Sequence, residues 1–153
     1  MFSCPVEKYH RILGIWKTQY RTLLVTNLFV YNIDDLYIKR KINIEDLNGF
    51  TLSSDPGCND FILHVRDGRG DYQYESKHIQ LVIEVMQYAF ANKSQMGLKI
   101  FEVPGKSSDL RNYMTTEDEA KKSLWKNPPA EFLMKHDNDE IVSRSVAFFK
   151  SEN

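Results

Sequence analysis

Apolar positions recur with two different periods along this chain. Between Arg11 and Asn92 the two-residue period of β-strands dominates, and one stretch of helical period closes it. Strands are predicted at 9–14, 20–26, 28–33, 36–42, 49–53, 61–65 and 72–75. Phe61, Leu63 and Val65 share one face of the clearest of these. Asp34-Asp35, Ser54-Asp55-Pro56-Gly57 and the loop from Asp67 to Asp71 are the turns between them, and Trp16 to Gln19 is read as a further turn. Residues 44–47 fit a single helical turn. In residues 77–92, Ile79, Val82, Ile83, Met86 and Phe90 fall on one helical face, and Gln80, Glu84, Gln87 and Ala91 gather on a polar stripe. Ser76 is the expected N-cap. Leu81, Val85 and Tyr88 form a second apolar line, roughly opposite the first. A helix packed on one side would leave that line in water, so it is expected either to meet a partner protein or to be covered by the chain that follows.

That following part, 93–153, carries its own signals. Residues 98–103 fit a strand ended by Pro104-Gly105. A capping box from Thr116 to Glu119 opens a helix to about Lys126, stopped by Pro128-Pro129. A second box, Asp137 to Glu140, precedes 141–150, where Val142, Val146 and Phe149 share a helical face; the same run also fits a strand. These apolar residues, with Leu124 and Trp125, are the candidates to cover Leu81, Val85 and Tyr88.

Strands first and a closing helix afterwards suggest a small barrel or sandwich plugged at one end. The length, 153 residues, suits one domain with a real core. A net charge of −1 gives no overall field to gather nucleic acid, so none is expected as a partner, and any anion site must be a local patch. Cys4 and Cys58 read as free thiols in a reducing compartment. The first eight residues lack the apolar run of a signal peptide, Phe2 does not fit the myristoylation pattern, and no run reaches the length of a membrane span. A cytoplasmic protein, or a cytoplasmic piece of a larger one, is therefore expected. The four histidines show no metal spacing, no nucleophile–base set assembles, and Arg69-Gly70-Asp71 reads as a hairpin turn, so no enzyme activity, metal or cofactor is expected.

Several segments carry a resemblance in their order and spacing. They are Tyr20-Arg-Thr-Leu-Leu-Val-Thr26, Leu28-Phe-Val-Tyr31, the run from Ile42 to Phe50, Phe61-Ile-Leu-His-Val65 and Glu75-Ser-Lys-His-Ile79. Together they resemble the tail homology 1 domain of class I myosins, a pleckstrin-homology-like fold, over about residues 8–92. The resemblance implies a mainly β (α+β) fold, a seven-stranded partial barrel capped by a C-terminal helix, here with a mostly helical extension over 93–153. It also implies binding of anionic phosphoinositides at the cytosolic membrane face. In the family pattern a lysine of the first strand joins a basic residue, any residue and an arginine in the second. Matching places Lys17 and Arg21 on family positions, and the intermediate basic position falls on neutral Gln19. Lys39, Arg40 and Lys41 lie on a nearby strand and complete the expected lipid-binding set. Such groups donate charge-assisted hydrogen bonds to phosphate oxygens. Trp16 reads either as an exposed aromatic at a loop tip or as a partly buried residue. The leading expectation is a non-enzymatic adaptor or targeting module at the membrane–cytoskeleton boundary. It would act mainly by protein–protein interaction with a cytoskeletal or adaptor protein through Leu81, Val85 and Tyr88. The alternative is a module that binds anionic membrane lipid.

Overall fold

The computed structural model describes residues 1–152; Asn153, the last residue of the expected extension, lies outside them. Its first part is built from β1 (Phe2–Ile12), β2 (Ile15–Val25), β3 (Phe29–Asp34), β4 (Tyr37–Asn43), β5 (Leu47–Ser53), β6 (Asp60–Val65), β7 (Tyr72–Glu75) and α1 (Ile79–Ser94). A single 3-10 turn, Ile44–Asp46, stands where residues 44–47 predict one. The strands form one open sheet in the order β4-β3-β2-β1-β7-β6-β5-β8, with β8 (Ile100–Val103) parallel to β5. Seven antiparallel strands followed by a closing helix are the pleckstrin-homology-like plan that the resemblance implies; β8 is an eighth strand beyond it.

The first strand differs most from its prediction. It starts at Phe2, not Tyr9, and residues 16–19 lie inside β2, not in a turn. Phe2, Cys4 and Val6 do alternate inward, but Pro5 interrupts the run. A proline fits here because β1 is paired with β2 at Pro5↔Thr22 and meets β7 only from Glu7 onward. The hairpin turn is Leu13-Gly14, with φ of 50° and 80°. Both residues are left-handed, as a two-residue hairpin turn requires, but leucine is not a residue that announces one.

The main core gathers Val6, Leu23, Val30, Ile42, Phe50, Phe61 and Leu63 from the strands and Val82, Ile83 and Met86 from α1. The N-cap of α1 is His78, with no side-chain capping bond, and not Ser76 as expected; the Ser76 hydroxyl accepts the His78 amide at 3.0 Å, ahead of the helix. Gln87 and Ala91, expected on the polar stripe, are buried. The reason is the extension. Gln87 donates to the Leu98 carbonyl at 3.0 Å and accepts from the Leu98 amide at 2.7 Å, taking the place of a strand neighbour just before β8.

The extension also explains why β6 is buried on both faces. Phe61, Leu63 and Val65 face the main core, while Ile62 joins a second cluster with Val103 and Leu110, flanked by Tyr113, Met114 and Phe132. Those residues come from β8, the short α2 (Ser107–Leu110) and the turns after it. The Thr116–Glu119 capping box forms as predicted, but α3 (Glu117–Lys121) stops short of Lys126. The last run is a helix, α4 (Asn138–Glu152), and it packs on α1.

Replacing Gln87 by Ala leaves the Leu98 amide and carbonyl without partners in a buried place, at a cost of about 1–3 kcal/mol for each orphaned group. Thermal or urea unfolding should therefore show Gln87→Ala clearly destabilised, while Gln80→Ala, on the exposed side of α1, should leave the midpoint nearly unchanged.

Candidate functional site

Strand alternation brings six polar side chains to one end of the main core. Val6 in β1 and Leu23 in β2 are core residues, so Lys8 and Arg21, two residues further along the same faces, follow them toward the end of the barrel. Asn32 of β3 is buried and pairs with Arg40 of β4. Tyr72 and Tyr74 of β7 complete the ring, their rings stacked 6.0 Å apart. The β1–β2, β3–β4 and β6–β7 connections all lie at this end of the sheet.

This cluster, the candidate pocket, is cationic and underpaired. The Lys8 ammonium lies 5.6 Å from the centre of the Tyr72 ring. Burial holds its pKa below that of a free lysine, and the Arg21 and Arg40 guanidiniums push in the same direction. Arg21 donates to Gln19 Oε1 and to the Tyr20 carbonyl, each at 2.8 Å, and lies 3.5 Å from the Asp34 carboxylate. Gln19, the neutral residue at the expected basic position, thus orients the arginine. Burial pushes the Tyr72 hydroxyl upward; Asp67 adds to this, and Arg40 and Arg69 oppose it. The buried Nε of Arg21, Oδ1 of Asn32 and hydroxyl of Tyr72 have no hydrogen-bond partner, and neither does either ring nitrogen of His10, one step further along the inner face of β1. Orphaned polar atoms are rare in folded proteins and cost about 1–3 kcal/mol each. Here they cluster. Phosphate oxygens suit the guanidinium, ammonium and phenol donors, and a ligand hydroxyl suits the Asn32 oxygen.

The structure brings together only part of the expected lipid-binding set. Arg21 and Arg40 are in the pocket. Lys17 lies on the same face of β2 but four residues nearer the hairpin tip, about 13 Å along the strand, opposite His10. Lys39 is the extra residue of a bulge between the Asn32↔Arg40 and Ile33↔Ile38 pairs and is exposed on an edge strand. Lys41 pairs with Tyr31 on the other face and stacks 4.0 Å from the Phe29 ring. The first-strand lysine is Lys8. It was hidden because the Pro5 interruption concealed the true start of β1. The alternation of Cys4, Val6 and Lys8 was the signal that could have revealed it.

The second apolar line of α1 is largely covered. Val85 is buried, and Tyr88 meets Phe148 of α4 at 5.6 Å between ring centres while donating to Glu84; only Leu81 is exposed, at 48%. The cover comes from Ser145, Phe148 and Phe149, whereas Val146 and Leu124 face solvent and Trp125 stacks against Arg66. Trp16 is half-buried, its ring 4.2 Å from the Arg111 guanidinium, which also lies 5.0 Å from Tyr9. Burial pushes the Tyr9 hydroxyl up to about 12.

One constellation escaped sequence reasoning. His64 Nδ1 lies 2.8 Å from Asp71 Oδ2, and its Nε2 lies 2.6 Å from the Thr51 hydroxyl. The order hydroxyl, imidazole, carboxylate is that of a nucleophile with its base, but Thr51, His64 and Asp71 are all buried, and a hydroxyl without access to substrate performs no acyl transfer. Their residues are adjacent only across β5, β6 and the β6–β7 loop, so nothing in their spacing pointed to them. Asp71 also shows why Arg69-Gly70-Asp71 is a structural turn: its carboxylate is spent inside the protein.

No protein-family model matches this chain, and no curated protein matches it. Among solved structures it is similar to the PH domain of human oxysterol binding protein-related protein 11, at 12% identity over 61% of this chain and 82% of that one, with a TM-score of 0.49. It is similar also to the Slm1 PH domain, at 12% identity over 59% of this chain and 96% of that one, TM-score 0.44. A Slm1 PH domain in complex with D-myo-inositol-4-phosphate is 14% identical over 58% of this chain and 91% of that one, with a TM-score of 0.41. The fold assignment rests on the chain's own strand order and closing helix.

The depressed pKa of Lys8 has a sign that can be tested. In the window between its lowered folded value and 10.5, the unperturbed value, the unfolded chain binds more protons, so this group's contribution to stability rises with pH across that window. Below the window the destabilising effect of its charge is present in full. Lys8→Met, which keeps the stem, should melt at a higher temperature than the parent at neutral pH. Melts at increasing pH should show the gap between the two proteins narrowing toward pH 10.5.

Proposed function

We propose that this protein is a non-enzymatic targeting module that binds the phosphorylated headgroup of an anionic membrane lipid, of the phosphoinositide class, in the pocket of Lys8, Arg21, Arg40 and Tyr72. The observation that carries this reading is the convergence of Lys8, Arg21 and Arg40 with buried, unpartnered polar atoms, while Asp34 pairs with Arg21 and Asp67 acts on Tyr72. Folding alone does not favour that arrangement, since like charges repel and orphaned donors destabilise. An anion with several acceptor oxygens reverses both costs. Asn32 and Tyr72 add recognition of a hydroxylated ring, which separates an inositol phosphate from a bare phosphate. The order of segments that resembles class I myosin tails points the same way, and so does the inositol phosphate bound to one Slm1 PH domain.

A protein-interaction role through Leu81, Val85 and Tyr88 has less support, because α4 occupies most of that face. No helix of the described residues is long and apolar enough to cross a membrane.

Calorimetric titration with a soluble inositol polyphosphate tests the pocket without a membrane. Arg21→Ala with Arg40→Ala should weaken binding by at least a hundredfold, in line with about 1.5–3 kcal/mol for each charged hydrogen bond removed. Raising salt should weaken the parent's binding as screening lengths fall below about 8 Å. Lys39→Ala with Lys41→Ala, which alters cations outside the pocket, should change affinity little. Equal binding by the parent and the double arginine variant would sink the assignment.

A further inference from the structure

At Lys8 the fold opposes the charge that a lysine ordinarily keeps. The side chain is half-buried on the inner face of β1, its Nζ 5.6 Å from the centre of the Tyr72 ring. The nearby carboxylate, Asp34, pairs with Arg21 and not with Lys8. Burial and the guanidiniums of Arg21 and Arg40 all favour the neutral amine over the ammonium. A neutral primary amine, partly desolvated beside other cations, is a nucleophile. The same two guanidiniums suit a phosphate, and the buried Nε of Arg21 lacks a partner. The Tyr72 hydroxyl is likewise unpartnered, and burial keeps it protonated, so it remains a donor. One cluster thus holds a nucleophile, a seat for phosphate and a neutral hydrogen-bond donor.

We infer that Lys8 is a self-acylation site for acyl phosphates: the phosphate seats on Arg21 and Arg40, and the Lys8 amine takes the acyl group. The Nζ lone pair attacks the carbonyl carbon and a C–N bond forms. The bond from that carbon to the bridging phosphate oxygen breaks, and the phosphate leaves with the electron pair. The proton lost from nitrogen ends on the phosphate. The products are an amide at Lys8 and inorganic phosphate, with no further reactant. Arg21 and Arg40 stabilise the charge that gathers on the departing phosphate, and the Tyr72 hydroxyl donates to the carbonyl oxygen as it gains charge. An acyl phosphate fits better than a thioester, because its carbonyl is joined directly to the anion that the guanidiniums hold. The amide is neutral, so acylation removes one of the cations that the headgroup uses. That last consequence rests on the headgroup reading above; the acyl transfer itself does not.

The test incubates the full chain with acetyl phosphate at neutral pH and follows acetylation of each lysine by peptide mass spectrometry. Lys8 should react roughly tenfold or more faster than the exposed Lys99 and Lys135, since the neutral fraction of an amine rises as its pKa falls. Added inorganic phosphate should slow Lys8 and leave Lys99 and Lys135 unaffected, a readout that needs no variant. With the N-hydroxysuccinimide ester of acetic acid, which has no phosphate to seat, the lead of Lys8 should shrink. Arg21→Ala with Arg40→Ala should bring the Lys8 rate with acetyl phosphate toward that of Lys99. The acetylated parent should bind inositol hexakisphosphate roughly tenfold more weakly, the loss of one charge-assisted contact. Acetylation of Lys8 no faster than that of Lys99, an equal lead with both reagents, or a Lys8 rate that phosphate does not slow overturns the inference. If the parent fails to bind inositol hexakisphosphate while phosphate-sensitive acetylation of Lys8 persists, the headgroup reading falls and the acylation site stands.

Discussion

The position of Asp71 is the constraint on which most of the molecule depends. Its carboxylate accepts from the Val65 amide at 3.0 Å, from the Thr115 amide at 2.9 Å and sits 2.8 Å from the His64 imidazole, while its own amide donates to the Thr115 carbonyl at 2.8 Å. One side chain thereby joins β6, the β6–β7 loop and the extension. A buried carboxylate is tolerable only when its oxygens are filled, and these are. Gly70 makes the approach possible. At φ 87°, a Cβ there would lie 2.8 Å from the Glu117 amide and 2.9 Å from the Thr115 carbonyl. The residue after Asp71 is Tyr72, so the clamp that holds the extension also fixes the ring over which Lys8 lies.

That coupling makes the extension part of the site's support and not an appendage. On the outer side of the β1–β2 hairpin, Arg111 stacks on Tyr9 and Trp16 and donates to Gln73 of β7 at 2.7 Å. Gln73 in turn donates to the Ser107 carbonyl at 2.9 Å. The outer faces of β1, β2 and β7 are thus tied to α2 and the turn after it, and the inner faces of the same three strands carry Lys8, Arg21 and Tyr72. A guanidinium held within 5.0 Å of two aromatic ring centres makes a wide contact. It restrains the segment of hairpin between the pocket and the turn.

The strand–helix plan was legible because it depends on period. β3, β4, β6 and α1 announced themselves through spacing that survives without knowledge of neighbours, and the Thr116–Glu119 box named its own helix start. What was not legible depended on contacts from elsewhere. Gln87 and Ala91 read as a polar stripe, but Leu98 pairs with Gln87 and both residues are buried. The spacing of β6 pointed to one buried face, Phe61, Leu63 and Val65, whereas Ile62 acquires its cover from Val103 and Leu110, some forty or more positions later. The candidate site was hidden in a third way. Arg21 and Arg40 do lie beside Lys8, but an unannounced turn at Leu13-Gly14 shifts the first strand, so Lys17 falls in β2 and not β1, and the bulge at Lys39 disguises which side of β4 faces inward.

The costs that the fold tolerates differ in kind. At the inner face of β1 and β2 the cost is electrostatic: a desolvated ammonium beside two guanidiniums, with Asp34 as the ion pair of one of them. Like charges brought together out of water each disfavour the other's charged form. At the hairpin turns the cost is a left-handed leucine at Leu13 and exposed hydrocarbon at Leu13 and Leu36. Neither feature serves the core that Val6, Leu23 and Leu63 build a few residues away, so the departures from folding preference gather at one end of the sheet.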